Sequence, residues 1–597
     1  MPTVILTGLP VPGSPLADEL RSLGFDVRPA AGPKDAAAAL AGVPTDQRVA
    51  VVDSAFVGHV HALRLALTDP RFDACAVTGA LAVQAGARGA LDEAAARAAA
   101  DAEAAGPYPD RLAAAVEAAG TTVQRPELGT LVAAVPAGPT EREAATAAVA
   151  AVDDEAVRLR TAVKSRDGFF TTFCISPYSR YIARWCARRG LTPNQVTTAS
   201  LITALIAAGC AATGERWGYV AAGVLLLVSF VLDCTDGQLA RYSLQYSTMG
   251  AWLDATFDRA KEYSFYAGLA LGAARNGDDV WALAVGSMIL MTCRHVVDFS
   301  FNEANHDATA NTSPTAALSD RLDSVGWTVW IRRMIILPIG ERWAMIAVLT
   351  AFTTPRIVFY ALLIGCAFGA LYTTAGRILR SLTRKATRTD RAARALADLA
   401  DSGPLAELQA RLLRGRAGSF GSVYVAALGT LVMIAGAVFL PFGDPRLIAV
   451  AVIYVMSAGL AVAAPLRGAL DWLVPPLFRA AEYVTVLALA VKADVPGALP
   501  AAFGLIAAVA YHHYDTVYRI RGGTGAPPHW LVRTIGGHEG RVLLITVLAA
   551  VLVTREADFP VALTASAVFV ALVVLVESIR FWVSSGAPAV HDEGEPA

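Results

Sequence analysis

The sequence predicts a polytopic α-helical membrane protein with an α/β cytoplasmic domain ahead of its spans. Three observations carry that fold class. Hydrophobic residues make up 55% of the 597 residues and charged residues 17%, where a soluble chain carries roughly 25% charge. Mean hydropathy is +0.48. Long apolar segments recur from Val196 onward, whereas residues 1–150 show only short apolar runs. The 50 basic and 51 acidic residues leave a net charge of −1, which excludes a generally basic nucleic-acid binder. Seven scattered cysteines without a C-x-x-C pair exclude a disulfide framework or a zinc site. The opening MPTVILTGLPVPG has no basic n-region and no long apolar core, so it is not expected to act as a secretory signal.

In residues 1–150, the runs Val4–Leu6, Val49–Val52, Cys75–Val77 and Leu131–Val135 alternate with Ala-rich helical stretches at 60–68 and 91–104. Strands alternating with helices indicate an α/β layer domain. Neither G-x-G-x-x-G nor a P-loop occurs. His59 and His61 read as a surface pair, because residues two apart on a helix point away from each other. A connector follows over 151–195. In it Tyr178, Tyr181, Ile182 and Trp185 share one helical face, and Arg180, Arg184 and Arg188 share another. That is a basic amphipathic helix suited to the membrane interface.

Spans are expected near 196–213, 217–234, 249–273, 279–300, 342–353 and 356–376, although 342–353 is short of the roughly 20 residues that a span needs. A basic cytoplasmic linker covers 386–418. About six further spans follow near 421–440, 446–465, 471–492, 498–516, 541–555 and 559–578, within a second membrane domain at 419–580 and before a tail at 581–597. Lys and Arg cluster before the first span and in 319–342, 377–416 and 519–541, which places both termini and the α/β domain on the cytoplasmic side of a bacterial plasma membrane.

Four aspartates interrupt these apolar segments. Asp233-x-x-Asp236-Gly237-x-x-Ala240-Arg241 ends one span, and Gly250-x-x-x-Asp254-x-x-x-Asp258 begins the next. Residues three or four apart share a helix face, so each pair presents two carboxylates together. Clustered carboxylates in a membrane are costly unless cations meet them. Oxygen donors without Cys or His favour Mg²⁺, Mn²⁺ or Ca²⁺. Gly237 and Gly250 leave room for a ligand to approach the backbone, and Arg241 supplies a cation for phosphate. A carboxylate relay in a transporter, or a noncatalytic membrane scaffold, are the rival classes, but neither uses Gly237, Arg241 or Gly250.

This spacing resembles, at every defined position, the signature of the CDP-alcohol phosphotransferases, which are integral membrane enzymes. The resemblance extends to Thr192-Pro193-Asn194-Gln195-Val196-Thr197 and covers about 165–385. It implies a six-helix catalytic domain at 196–385. Asp233, Asp236, Asp254 and Asp258 would hold two divalent ions, Mg²⁺ or Mn²⁺. Asp233, Gly237, Ala240, Arg241, Gly250 and Asp254 would bind the nucleotide of a CDP-alcohol donor. Asp258 would serve as general base on an alcohol or polyol-phosphate acceptor, and CMP would leave. Arg294, Arg332 and Arg333 are the candidates for the acceptor site. The domain layout is similar to the bifunctional inositol-phosphate cytidylyltransferase/di-inositol-phosphate-phosphate synthases. The first turn, TGLPVPGSPLADEL, however, has no basic residue before Arg21, and Asp53 is read as a relic of a metal-binding acid. The 1–150 domain is therefore expected to be nucleotidyltransferase-like but inactive.

The second membrane domain echoes the first. WLDATFDRAKEY at 252–263 aligns without gaps with WLVPPLFRAAEY at 472–483. His295-x-x-Asp298 meets His512-x-x-Asp515, and RWAMIAVLTA at 342–351 meets RVLLITVLAA at 541–550. Val474 and Phe478 replace Asp254 and Asp258, so the copy is expected to be a degenerate, metal-free repeat. Enzymes of the resembling family pair as homodimers. The chain is therefore expected to be a homodimer or an internal pseudo-dimer in the bilayer.

Overall fold

The computed structural model describes residues 2–100, 106–164, 167–307, 336–383, 387–413 and 421–584. The N-terminal domain is a six-stranded sheet in the spatial order Asp26–Ala30, Thr3–Thr7, Val49–Asp53, Ala80–Val83, Ala74–Val77, Val123–Gln124. The first three strands are parallel, and Ala80–Val83 runs antiparallel to both of its neighbours. Fully apolar Val49–Val52 sits in the sheet interior with both faces covered. Three of the four expected strand runs form; of Leu131–Val135 only Ala133–Ala134 is strand, paired with Val57–Gly58. The sequence reading missed Asp26–Ala30, whose Asp, Arg and Pro disguise an edge strand.

The two histidines are not a surface pair, because both are 4% exposed. His59 caps the start of the helix Val60–Thr68 from the extended chain, accepting from the Val132 amide at 2.8 Å. Burial holds His61 down at about 4, helped by Arg158 nearby.

Each of the twelve expected spans corresponds to a helix: α1 (Pro193–Ala212), α2 (Arg216–Ser243), α3 (Thr248–Arg275), α4 (Trp281–Asn305), α5 (Ile339–Phe352), α6 (Pro355–Thr383), α7 (Ser422–Phe439), α8 (Pro445–Ala461), α9 (Val474–Ala493), α10 (Ala498–Arg521), α11 (Gly537–Val551) and α12 (Phe559–Ser584). Eight of these, with the short turns that lead into some of them, are long and apolar enough to cross a membrane: α1, α2, α4, α6, α7, α9, α11 and α12. The other four complete the packing. Of these, α5 and α8 are short, and α3 and α10 carry charged residues.

Both halves share one pattern of neighbours. In the first, α1 packs on α2 and α3, α2 on α5, α3 on α4, and α4 on α6; in the second, α7 packs on α8 and α9, α8 on α11, α9 on α10, and α10 on α12. Small residues allow the closest approach: a β-carbon at Gly268 or Gly272 would stand 2.4 Å from the Ala208 carbonyl or 2.1 Å from that of Ala211. A buried ion cluster also recurs. Glu262 accepts from Arg259 at 2.7 Å and faces Arg342 at 3.4 Å; Glu482 accepts from Arg479 at 2.8 Å and from Arg541 at 2.5 Å. These are the residues that the sequence alignment equates. The halves meet through α4 with α9 and α3 with α10, a reciprocal pair, and through α4 with α10.

The stretch read as a linker is folded. Helices Asp390–Ala400 and Pro404–Leu413 lie there, and the first packs between α4, α9 and α10. It ends at Asp401, which bonds Arg541 at 2.7 Å and His512 at 3.0 Å.

Two outcomes test this packing. Glu482→Gln leaves Arg479 and Arg541, which are 0% and 4% exposed, with Asp401 as the one carboxylate they share among the described residues. The loss should approach the ~3–5 kcal/mol typical of a broken buried pair, read as a clear fall in the melting temperature of the purified protein. For His61, the unfolded chain takes up a proton near 6.5 while the folded site resists it until about 4. Stability present above pH 6.5 is therefore lost as pH falls toward 4, by about 3 kcal/mol. His61→Leu should remove this part of the acid sensitivity of the N-terminal domain, measured by urea unfolding at pH 7 and pH 4.5.

Candidate metal and phosphate site

The aspartates converge because two helix ends face each other across a short turn. Thr192 and Gln195 form a capping box at the start of α1. Ser247 caps α3, accepting from the Gly250 amide at 2.9 Å. A β-carbon at Gly250 would stand 2.8 Å from Asn194 Oδ1, so Asn194 of the Thr-Pro-Asn-Gln entry packs directly on this glycine. At Gly237 an added β-carbon would meet nothing nearer than the Arg241 guanidinium at 3.6 Å, which leaves that stretch of wall open.

Asp233, Asp236, Gly237, Ala240, Arg241, Gly250, Asp254 and Asp258 all line one cavity of about 350 Å³, a size common among small-ligand sites. Oxygens of Asp233, Asp236 and Asp254 come within 4.8 Å of one another. Asp236 is 4% exposed, and its Oδ2 has no hydrogen-bond partner among the described residues. A buried orphan oxygen among converging carboxylates fits a hard divalent cation such as Mg²⁺ or Mn²⁺.

Asp258 stands beside that trio and is bound to Lys261. The Lys261 ammonium, fully buried, lies 2.9 Å from Asp258 Oδ1, also bonds Asp233, and reaches Ser200 Oγ at 3.2 Å. The spacing of Lys261, seven residues after Asp254 and three after Asp258, places all three on one helix face. Lys261 thus pairs two of the four carboxylates, Asp233 and Asp258.

The connector closes one side of the site. Lys164 and Asp167 line the cavity, and Arg241 donates to the Ala162 carbonyl at 2.6 Å. Arg158 stacks 3.5 Å from the centre of the Tyr242 ring, and Tyr242 donates to Glu155 at 2.9 Å. These contacts dock the connector against the end of α2. Tyr178, Tyr181 and Trp185 of the amphipathic helix Ser176–Arg188 are 47–70% exposed, while Ser179, Ala183 and Cys186 form its buried face.

Arg294 does not belong to the cavity wall. It is buried in α4, where it donates to the Ile336 carbonyl. Arg332 and Arg333 lie outside the described residues. Five wall residues come from the second half, Tyr518, Arg521, Gly522, Thr524 and Trp582. No local spacing signals them, because they lie more than 250 residues from the aspartates.

Residues 190–370 match the family model described as CDP-alcohol phosphatidyltransferase. Residues 390–597 match a family of unknown function (DUF5941). An archaetidylinositol phosphate synthase of Pyrococcus horikoshii is 33% identical over 115 residues, 19% of this chain and 58% of that protein. A phosphatidylinositol phosphate synthase of Mycolicibacterium smegmatis is 36% identical over 123 residues, 20% of this chain and 53% of that protein. A bifunctional IPC transferase and DIPP synthase of Aquifex aeolicus is 29% identical over 136 residues, 22% of this chain and 31% of that protein. The chain thus spans about a third to three-fifths of the length of these relatives.

Lys261→Met should unbalance the carboxylates. In EDTA its melting temperature should fall below that of the wild type, and Mn²⁺ should restore more stability than it adds to the wild type. Equal Mn²⁺ shifts in the two proteins would show that Lys261 does not share the aspartates' charge.

Proposed function

We propose that the chain is a membrane transferase that moves a substituted phosphate from a CDP-alcohol to an alcohol acceptor, inositol phosphate or another polyol phosphate, with release of CMP. The observation that carries this reading is the convergence of Asp233, Asp236 and Asp254 in one cavity with Asp258, Gly237 and Arg241. The names of the relatives, which include synthases of phosphatidylinositol phosphate and archaetidylinositol phosphate, support the acceptor class.

Asp233, Asp236, Asp254 and Asp258 would hold a pair of divalent ions. When bound, such ions supply charge neutralisation at the transferring phosphate. Arg241 holds the donor's phosphate oxygens, and Gly237 lets the nucleotide approach α2. Asp258 takes the proton of the acceptor hydroxyl as its oxygen bonds to the β-phosphorus. The bond from that phosphorus to the bridging oxygen breaks, and CMP departs with the electron pair. Lys261 keeps Asp233 and Asp258 in place between turnovers.

The remaining assignments follow the same reading. The protein resides in a bacterial plasma membrane with both termini cytoplasmic, the exposed aromatic face of Ser176–Arg188 lies in the interface, and the N-terminal domain docks rather than catalyses. The second half takes the position that a partner subunit would occupy, so that one chain is a pseudo-dimer.

The test is CMP release from CDP-diacylglycerol with inositol phosphate in Mg²⁺ or Mn²⁺. EDTA should abolish it. Asp258→Asn should lower the rate by about 10²–10⁴ while CDP binding persists. A loss within tenfold assigns the proton to another group.

A further inference from the structure

The cavity has a wall that the aspartate helices do not supply. Tyr518 and Arg521 on the last turn of α10, and Thr524 just beyond it, face into the cavity that holds the aspartates, as does Trp582 of α12. All four belong to the half whose own metal-ligand positions carry Val474 and Phe478. There Phe478 stacks on His538 at 4.2 Å and makes an edge contact with Tyr454, and all three side chains are fully buried. The second half thus fills its own site with aromatic rings and extends residues into the other.

A buried polar network fixes that wall. Trp582 Nε1 and Ser578 Oγ donate to Asp515 Oδ1 at 2.6 and 2.8 Å, and Arg519 bridges Asp515 at 2.8 Å to Glu577 at 2.6 Å. The Trp582 ring lies 6.2 Å from Trp252 of α3 at 19°, two residues before Asp254. The Arg521 guanidinium lies 4.9 Å from the centre of the Phe299 ring of α4. Each contact crosses between the halves, so the wall is registered against the helices that carry the aspartates.

Chemistry then selects a ligand. Lys164, Arg241 and Arg521 are the cations of the cavity wall, and Arg521 alone is carried on the second half. The motif Arg241 sits beside Gly237, whose place is with the donor. A guanidinium on a separate wall, beside the hydroxyls of Tyr518 and Thr524, matches a second anion that also bears hydroxyls. We propose that the C-terminal half supplies the acceptor subsite, with Arg521, Tyr518 and Thr524 binding the phosphate and hydroxyls of a phosphorylated polyol. This rests on the transferase reading above and assigns a role to the half matched only by a family of unknown function.

Two measurements on the full-length protein test it. With CDP-diacylglycerol as donor, Arg521→Gln should raise KM for myo-inositol 1-phosphate about tenfold or more, the scale of one lost charged hydrogen bond. KM for CDP-diacylglycerol should stay within twofold, Arg521→Lys should recover part of the loss, and Thr524→Val should show a smaller effect in the same direction. An unchanged acceptor KM, or a donor KM that rises as much, overturns the proposal. Without donor, myo-inositol 1-phosphate should raise the melting temperature of the wild type in Mn²⁺, and Arg521→Gln should lose that shift while keeping the one produced by CDP. The thermal measurement reads the subsite even if no CMP is released, so failure of the transferase reading stays separate. A shift that survives in both Arg521→Gln and Thr524→Val places the phosphate elsewhere.

Discussion

A charge inside a helical membrane bundle has to be met by an opposite charge or a backbone carbonyl within a few ångströms, because hydration cannot pay for it there. That constraint organises the molecule. In the first half Lys261 lies against Asp233 and Asp258, and Arg259 and Arg342 flank Glu262. In the second, Arg479 and Arg541 flank Glu482, with Asp401 completing the set. The second cluster sets two arginines against two carboxylates, the first two arginines against one, and both are buried between helices. In the aspartate cluster Lys261 bonds two of the four carboxylates, and all four line a cavity.

The two halves show how one packing scheme separates scaffold from chemistry. The clusters around Glu262 and Glu482 occupy corresponding places between the third and fifth helices of each half. They therefore serve the packing that both halves need. The aspartates are present only in the first half. In the second half, where Val474 and Phe478 align with Asp254 and Asp258, Phe478 stacks on His538 in the buried interior. Freed from its own site, the second half contributes a wall to the first, and the reciprocal contacts of α4 with α9 and α3 with α10 hold that wall in register.

The N-terminal domain and the connector meet the same region. The Arg158–Tyr242 stack and the bond from Arg241 to Ala162 place the connector against the motif turn. His61, buried near Arg158, lies on the side of the N-terminal domain that faces this junction. The domain is thus attached at the end of α2 that carries the aspartates.

Sequence alone determined the membrane class, the twelve helical places, the aspartate pairs and the alignment of the halves. Each of these is local or periodic: hydropathy reads span length, and i, i+3 and i, i+4 spacing reads a shared face. Even Lys261 was within reach of that reasoning, because it lies on the face of Asp254 and Asp258. Burial of His59 and His61, the folded stretch 390–413, the place of Arg294 outside the cavity and the arrival of Tyr518, Arg521, Thr524 and Trp582 were decided by tertiary structure. Those facts depend on which helix faces pack together across hundreds of residues. Apolar helices of similar composition carry no pairwise code for that choice until backbone approach, buried ion pairs and ring contacts select one arrangement.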